Sequence, residues 1–209
     1  MKLFLASAFD QTATLLGPKL QKDLKGKKVI FIANPADSYE GDKWWVKIDR
    51  DAFIKLGCDI VEVDFRVISI EEFKKCLEES DIIHICGGSV FYTMLLLREK
   101  GFDKLITEFV RGNKIIYSGT SAGSMIVSVD LSLDALDPDE KKFIDKTKDY
   151  SGFGLVDFLI MPHANNEDFA DGNAKTIKQL PKYSKSVIFL YDNQVVWVDD
   201  NKLEILSRI

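Results

Sequence analysis

Several things are scarce in this sequence, and each shortage removes a class of function. Only two histidines, His84 and His163, occur in 209 residues, and the three cysteines, Cys58, Cys76 and Cys86, stand in apolar or amphipathic surroundings without ligand spacing. An odd number of thiols so placed points to reduced cysteines in the cytoplasm, with neither a disulfide framework nor a structural zinc. No stretch approaches the roughly 18 apolar residues of a membrane span. The apolar part of Met1–Ser7 is too short for a signal peptide. A basic stripe is also missing. With 28 basic and 33 acidic side chains the net charge is -5, which favours neither nucleic acid nor an anionic membrane as partner. Phosphate loops are absent too: Gly87-Gly88-Ser89 lacks the third glycine of a dinucleotide fingerprint, and no Gly-Lys-Ser/Thr occurs.

What is present suits one domain spanning residues 1–209, since 46% hydrophobic residues can fill a sizeable core. Lys2–Ala6 reads as a buried strand, followed by a helical stretch from about Thr12 to Leu24 that has Pro18 in its first turns or is kinked by it. Lys28–Asn34 is a second, nearly continuous apolar strand, the pattern of a parallel sheet buried on both faces. Asp42–Leu56 has helical spacing stopped by Gly57, Cys58–Asp64 is a third strand, and Ser69-Ile70-Glu71-Glu72 forms a capping box for the next helix. Asp81–Cys86 is a fourth strand ending in Gly87-Gly88, and helices over Phe91–Lys100 and Phe102–Val110 follow. Such alternation predicts a doubly wound, mainly parallel sheet with helices on both faces, which binds ligands beyond the carboxyl ends of its strands.

At one such end stands Ile115-Ile116-Tyr117-Ser118-Gly119-Thr120-Ser121-Ala122-Gly123, an apolar strand running into Gly-Thr-Ser-Ala-Gly. A serine at a sharp strand-to-helix turn needs small neighbours, which Gly119 and Gly123 supply, and the pattern is that of a nucleophile elbow. Ser121 is the candidate nucleophile, and the N–H of Ala122 at the helix start is placed to stabilise an oxyanion. His163 follows the apolar run Leu155–Met161 and Pro162, so it falls at the same sheet edge and is the candidate general base. His84 lies inside the fourth strand and reads as a core residue. Between elbow and histidine, the acidic stretch Asp130–Asp149 reads mostly as solvated loop. Val187–Tyr191, Val195–Val198 and Leu203–Leu206 predict an antiparallel meander at one side of the sheet.

Gly87-Gly88-Ser89-Val90-Phe91, Gly119-Thr120-Ser121-Ala122-Gly123 and Gly152-Phe153-Gly154-Leu155-Val156 leading to Pro162-His163 occur in the order and approximate spacing of the peptidase E-like serine peptidases. The chain resembles that family, peptidase family S51, over nearly its whole length. The resemblance implies a three-layer α/β/α sandwich of the class I glutamine amidotransferase-like type, with a mainly parallel doubly wound sheet and the C-terminal antiparallel meander. It implies a serine exopeptidase or dipeptidase acting on short peptides without metal or cofactor. The nucleophile would be Ser121, the base His163, and the oxyanion hole the N–H groups of Gly88 and Ala122. Family members place a carboxylate between serine and histidine; Asp137 is nearest that spacing and Asp134 next, with Glu167 and Asp157 as alternatives. For substrate binding it points to Ser89, where the family has Asn or Asp, and to Lys175, where its aspartyl dipeptidases have arginine. Lysine lacks the bidentate fork, so strict selection of an N-terminal aspartate is not implied. The partners implied are a short peptide and, as one open option, a second copy of the chain in a homodimer. Two other functions fit the same elbow: an esterase or acyl hydrolase, and a non-catalytic small-molecule-binding protein.

Overall fold

The computed structural model describes residues 1–208. Its strands are β1 (Lys2–Ala6), β2 (Lys28–Ile32), β3 (Asp59–Glu62), β4 (Ile82–Ile85), β5 (Ile116–Thr120), β6 (Phe158–Met161), β7 (Ser186–Phe189), β8 (Gln194–Asp199) and β9 (Lys202–Ser207). The α-helices are α1 (Phe9–Thr12), α2 (Leu16–Leu20), α3 (Trp44–Lys55), α4 (Ile70–Glu78), α5 (Val90–Glu99), α6 (Phe102–Arg111), α7 (Ala122–Met125), α8 (Lys141–Thr147) and α9 (Ala170–Gln179). Seven strands form one sheet in the order β3-β2-β4-β5-β1-β8-β9. Pairing is parallel from β3 across to β1 and antiparallel from β1 through β8 to β9.

Side-chain alternation along the strands divides the interior into two layers. Leu3 and Leu5 of β1, Ile30 and Ile32 of β2, and Ile83 and Ile85 of β4 face a core shared with α4, α5 and α6. Their neighbours Phe4, Ala6, Val29, Phe31 and Ile82 face the opposite core, filled by Phe9, Leu16, Ala52 and Phe53 from α1, α2 and α3. The helices match this frame: Phe102, Ile106, Phe109 and Val110 of α6 are buried at helical spacing. Local signals fix the ends. The Ser69 hydroxyl accepts from Glu72 N–H while the Glu72 carboxylate accepts from Ser69 N–H, completing the capping box. Gly57, at φ 80°, closes α3 with paired bonds from Gly57 N–H to Ile54 and from Cys58 N–H to Phe53, a Schellman stop.

Two segments depart from the sequence expectation. The helix expected over Thr12–Leu24 is broken into α1, a 3-10 turn (Ala13–Leu15) and α2, which ends at Gln21 in the left-handed region. Gly17 and Pro18 in the middle of the stretch explain the shortening, since neither supports a long helical run. The antiparallel C-terminal strands are present as the β8–β9 hairpin, but β7 lies outside the seven-stranded sheet. It pairs in parallel with β6 in a separate two-stranded sheet, Met161 opposite Phe189.

His84 is a core residue, with no exposed surface. Its Nδ1 lies 2.9 Å from the Ser118 hydroxyl and its Nε2 3.4 Å from the buried Asp49 carboxylate, while Phe9, Phe31 and Phe53 pack around the ring. Asp49, His84 and Cys86 thereby bring one donor atom each within 4.8 Å of one another, a grouping that no sequence spacing shows. His84→Ala would leave the Asp49 carboxylate buried beside a cavity. We expect it to cost about 3 kcal/mol of stability by urea unfolding, with unchanged kcat in the fraction that folds.

Candidate active site

The carboxyl ends of the parallel strands β1, β2, β4 and β5 deliver Ser7, Asn34, Gly87-Gly88 and Ser121 to one edge of the sheet. β5 ends at Thr120 and α7 begins at Ala122, so Ser121 carries the whole change of direction, at φ 50° and ψ -115°. That backbone region is strained for a residue with a β-carbon. It is held because Ser121 N–H donates to Ala6 and the Ser124 hydroxyl donates to the same carbonyl, tying the turn to β1. Gly119 and Gly123 are packed against backbone: a β-carbon on Gly119 would stand 2.4 Å from the Gly123 oxygen, and one on Gly123 would stand 2.0 Å from the Ile85 oxygen. Gly123→Ala is therefore expected to destabilise by about 3 kcal/mol and to displace Ser121, read by urea unfolding together with activity.

His163 follows β6 at φ 59°. Its Nε2 is 3.0 Å from Ser121 Oγ, and its Nδ1 is 2.6 Å from Asp192 Oδ1. Asp192 stands just past β7, and the parallel pairing of β6 with β7 puts both residues at the same end of the small sheet. The Ser7 hydroxyl binds the pair together, donating to Asp192 Oδ1 at 3.0 Å and accepting from His163 N–H at 2.7 Å. Asn166 donates to Asp192 Oδ2, Asn173 donates to the His163 carbonyl, and Phe169 stacks on the imidazole at 4.3 Å. Burial pushes the Asp192 carboxyl up, but hydrogen bonds from His163, Ser7 and Asn166 and the charge of His163 outweigh it, leaving the pKa below the ordinary carboxylate value. An ionised carboxylate only accepts, so in the neutral imidazole Nδ1 carries the proton and Nε2 is free to accept from the serine hydroxyl.

The acids expected from the sequence are elsewhere. Asp137 is exposed and accepts from Asp139 N–H as the cap of a short 3-10 turn, so it does not orient His163. Asp157 precedes β6, at the end opposite His163, and Glu167 is exposed. Ser89 is also corrected as a substrate contact. It is 2% exposed, and its hydroxyl donates to Glu140 at 2.6 Å while accepting from Tyr92 N–H as the cap of α5. Gly88 lines the cavity at Ser121, and a β-carbon there would meet the Pro35 oxygen at 2.1 Å, so only glycine lets the chain pass. The N–H of Ala122 opens α7 and, as the first in a helix, has no intrahelical acceptor.

The cavity holds about 430 Å³, room for a short peptide, and its walls include Ser121, His163, Phe169 and Lys175. Its other side is the segment Asp134–Glu140, part of the stretch expected to be mostly solvated loop: Asp137 and Asp139 are exposed as expected, but Asp134 and Glu140 are buried. Asp134 is 8% exposed, and neither of its carboxylate oxygens has a hydrogen-bond partner among the described residues. Burial first, then the charges of Glu140, Asp130 and Asp137, hold its pKa well above the ordinary value. A carboxyl whose pKa rises on folding loses stability as pH increases past its unfolded value, so Asp134 weakens the fold at neutral pH. Asp134→Asn should be more stable near pH 7 by about 0.5–2 kcal/mol in urea unfolding. The difference should vanish below about pH 4.

The pattern of Peptidase family S51 matches residues 3–206. The chain belongs to peptidase family S51. An uncharacterized peptidase of Listeria innocua is 32% identical over 203 residues, covering 93% of this chain and 94% of the relative. One of Pasteurella multocida is 31% identical over 180 residues, covering 84% and 83%. In structure, the crystallographically known peptidase E candidate of Listeria monocytogenes EGD-e superposes with a TM-score of 0.88 at 27% identity, covering 100% of this chain and 98% of that one. This S51 chain is thus a peptidase on a peptidase E-like α/β framework, and the family is one of serine peptidases. Among the described residues no helix is long and apolar enough to cross a membrane.

Proposed function

We propose that this S51 peptidase is a cytoplasmic, single-domain serine exopeptidase that hydrolyses short peptides through Ser121, His163 and Asp192. The observation that carries this reading is the continuous line from Ser121 Oγ through both nitrogens of His163 to Asp192. In the first step Oγ attacks the scissile carbonyl carbon while its proton passes to Nε2. The negative charge that develops on the carbonyl oxygen is met by the N–H groups of Gly88, in the turn after β4, and of Ala122, at the nucleophile elbow. The imidazolium formed is stabilised by the ionised Asp192 and gives its proton to the leaving amine, producing an acyl-enzyme. Water then enters, loses a proton to Nε2, and displaces Oγ, which recovers its proton. The leaving amine departs with the proton first held by Oγ, and water supplies the proton that restores it, so the cycle closes with Asp192 ionised throughout.

The test is a panel of dipeptides and tripeptides differing in the first residue, with fluorophosphonate labelling of Ser121 in parallel. Turnover with labelling, both lost in Ser121→Ala, supports the reading. Ester hydrolysis without peptide turnover would replace it with an acyl hydrolase, and binding without labelling would replace it with a non-catalytic receptor.

A further inference from the structure

Five acidic residues line the cavity at Ser121, namely Asp134, Asp137, Asp139, Glu140 and Asp168, against one lysine, Lys175. Only His163 among the other lining residues can carry positive charge. A row of acids would by itself mean little, but two further observations concern how it is built. First, Glu140 is not solvated: its carboxylate accepts from the Ser89 hydroxyl and from the N–H groups of Val90 and Phe91 at 2.6, 2.7 and 3.1 Å. These bonds strap the acidic segment to the start of α5, beside Gly88, and fix it across the cavity from His163. Second, Asp134 is buried in that wall with both oxygens unpartnered among the described residues. A buried polar group without a partner is costly, and the cavity it lines is where a partner would arrive.

We propose that this wall recognises a positively charged group of the peptide, the α-ammonium or a basic side chain, with Asp134 as the inner anchor and Asp137 and Asp139 at the mouth. The proposal rests on the peptidase reading only for the identity of the ligand as a peptide. Lys175 is exposed on α9 and opposes the same charge, so it lessens the preference instead of creating one for an acidic first residue. The site is one for a cation because a cation entering beside Asp134 favours its ionised form, and the exposed Asp137 and Asp139 add to the same negative field. A carboxylate side chain on the substrate would be repelled by that field.

The experiment separates binding from turnover by using the full chain with Ser121→Ala. Calorimetric titration compares Lys-Ala-Ala, Ala-Ala-Ala, N-acetyl-Ala-Ala-Ala and Asp-Ala-Ala. Recognition of a basic side chain makes Lys-Ala-Ala bind about tenfold or more tightly than Ala-Ala-Ala; recognition of the α-ammonium makes acetylation weaken binding by a similar factor. Asp-Ala-Ala is expected to be the weakest of the three free-amine peptides. Equal affinity across the four, or tightest binding of Asp-Ala-Ala, overturns the proposal. Adding Asp134→Asn to the Ser121→Ala chain should erase most of the discrimination, and full retention by a folded double variant would remove Asp134 from the site. Adding Lys175→Ala instead, at an exposed position that folding does not depend on, should tighten Lys-Ala-Ala several-fold. Turnover of the same panel by the unsubstituted protein is read separately: selective binding with no hydrolysis sinks the peptidase mechanism and leaves the cation site standing.

Discussion

Ser121→Ala is expected to lower kcat for peptide hydrolysis by about 10⁴-fold or more, with KM nearly unchanged. The size follows from what is removed. Without Oγ no acyl-enzyme can form, and the remaining catalysis would come from the proposed oxyanion hole of the Gly88 and Ala122 N–H groups and from a water that His163 deprotonates. Stability should hardly move, because Oγ makes one hydrogen bond, to His163 Nε2, and alanine keeps the β-carbon that strains the turn at φ 50°. A companion variant separates chemistry from strain. Ser121→Gly relieves the backbone and is expected to raise stability by about 1 kcal/mol while being as inactive as the alanine variant. If Ser121→Ala retained turnover within about tenfold of the parent, the nucleophile would have to be another residue.

Ser121, His163 and the glycines around the turn were legible in the sequence because their signal is local. A strand ending in Gly-Thr-Ser-Ala-Gly states its own geometry, and an apolar run ending in Pro-His states where the histidine falls. The mainly parallel sheet was legible for the same reason, since fully apolar strands alternate with amphipathic helices. Asp192 was not, because its place depends on which strand β7 pairs with. Val187–Tyr191 looks like the opening strand of the C-terminal meander, and as such it would have no parallel partner to carry Asp192 to the histidine. Only the parallel pairing with β6 brings the ends of the two strands together. Ser7 and Asn166 were hidden in another way: each is a single polar residue in a turn, and its importance lies in contacts across 185 and 26 positions. Asp134 sits in an acidic run that composition assigns to solvent. Its burial is a tertiary effect that the run itself does not encode, in a segment that Glu140 ties to α5.

The choice between Asp192 and Asp137 can be decided kinetically, because substitution by asparagine should act on different constants at the two positions. At Asp192, Oδ1 accepts from both the Ser7 hydroxyl and His163 Nδ1, while Oδ2 accepts from the Asn166 amide. All of these neighbours donate, and an asparagine offers one accepting oxygen and one donating nitrogen. If its nitrogen faces Asn166, two donors oppose each other; if it turns, the nitrogen faces Nδ1 and favours the imidazole tautomer with its proton on Nε2. That tautomer cannot accept from Ser121. Even in the first orientation the imidazolium loses its counter-charge. Asp192→Asn is therefore expected to lower kcat by about 10³–10⁴-fold, with fluorophosphonate labelling of Ser121 slowed in proportion. Asp137 touches neither histidine nor serine; its carboxylate caps a 3-10 turn at the cavity wall. Asp137→Asn should act on KM and leave kcat within about fivefold of the parent. The reverse outcome, a large kcat loss at Asp137 and a small one at Asp192, would mean that the acidic segment moves to His163 when substrate binds and displaces Asp192 from Nδ1.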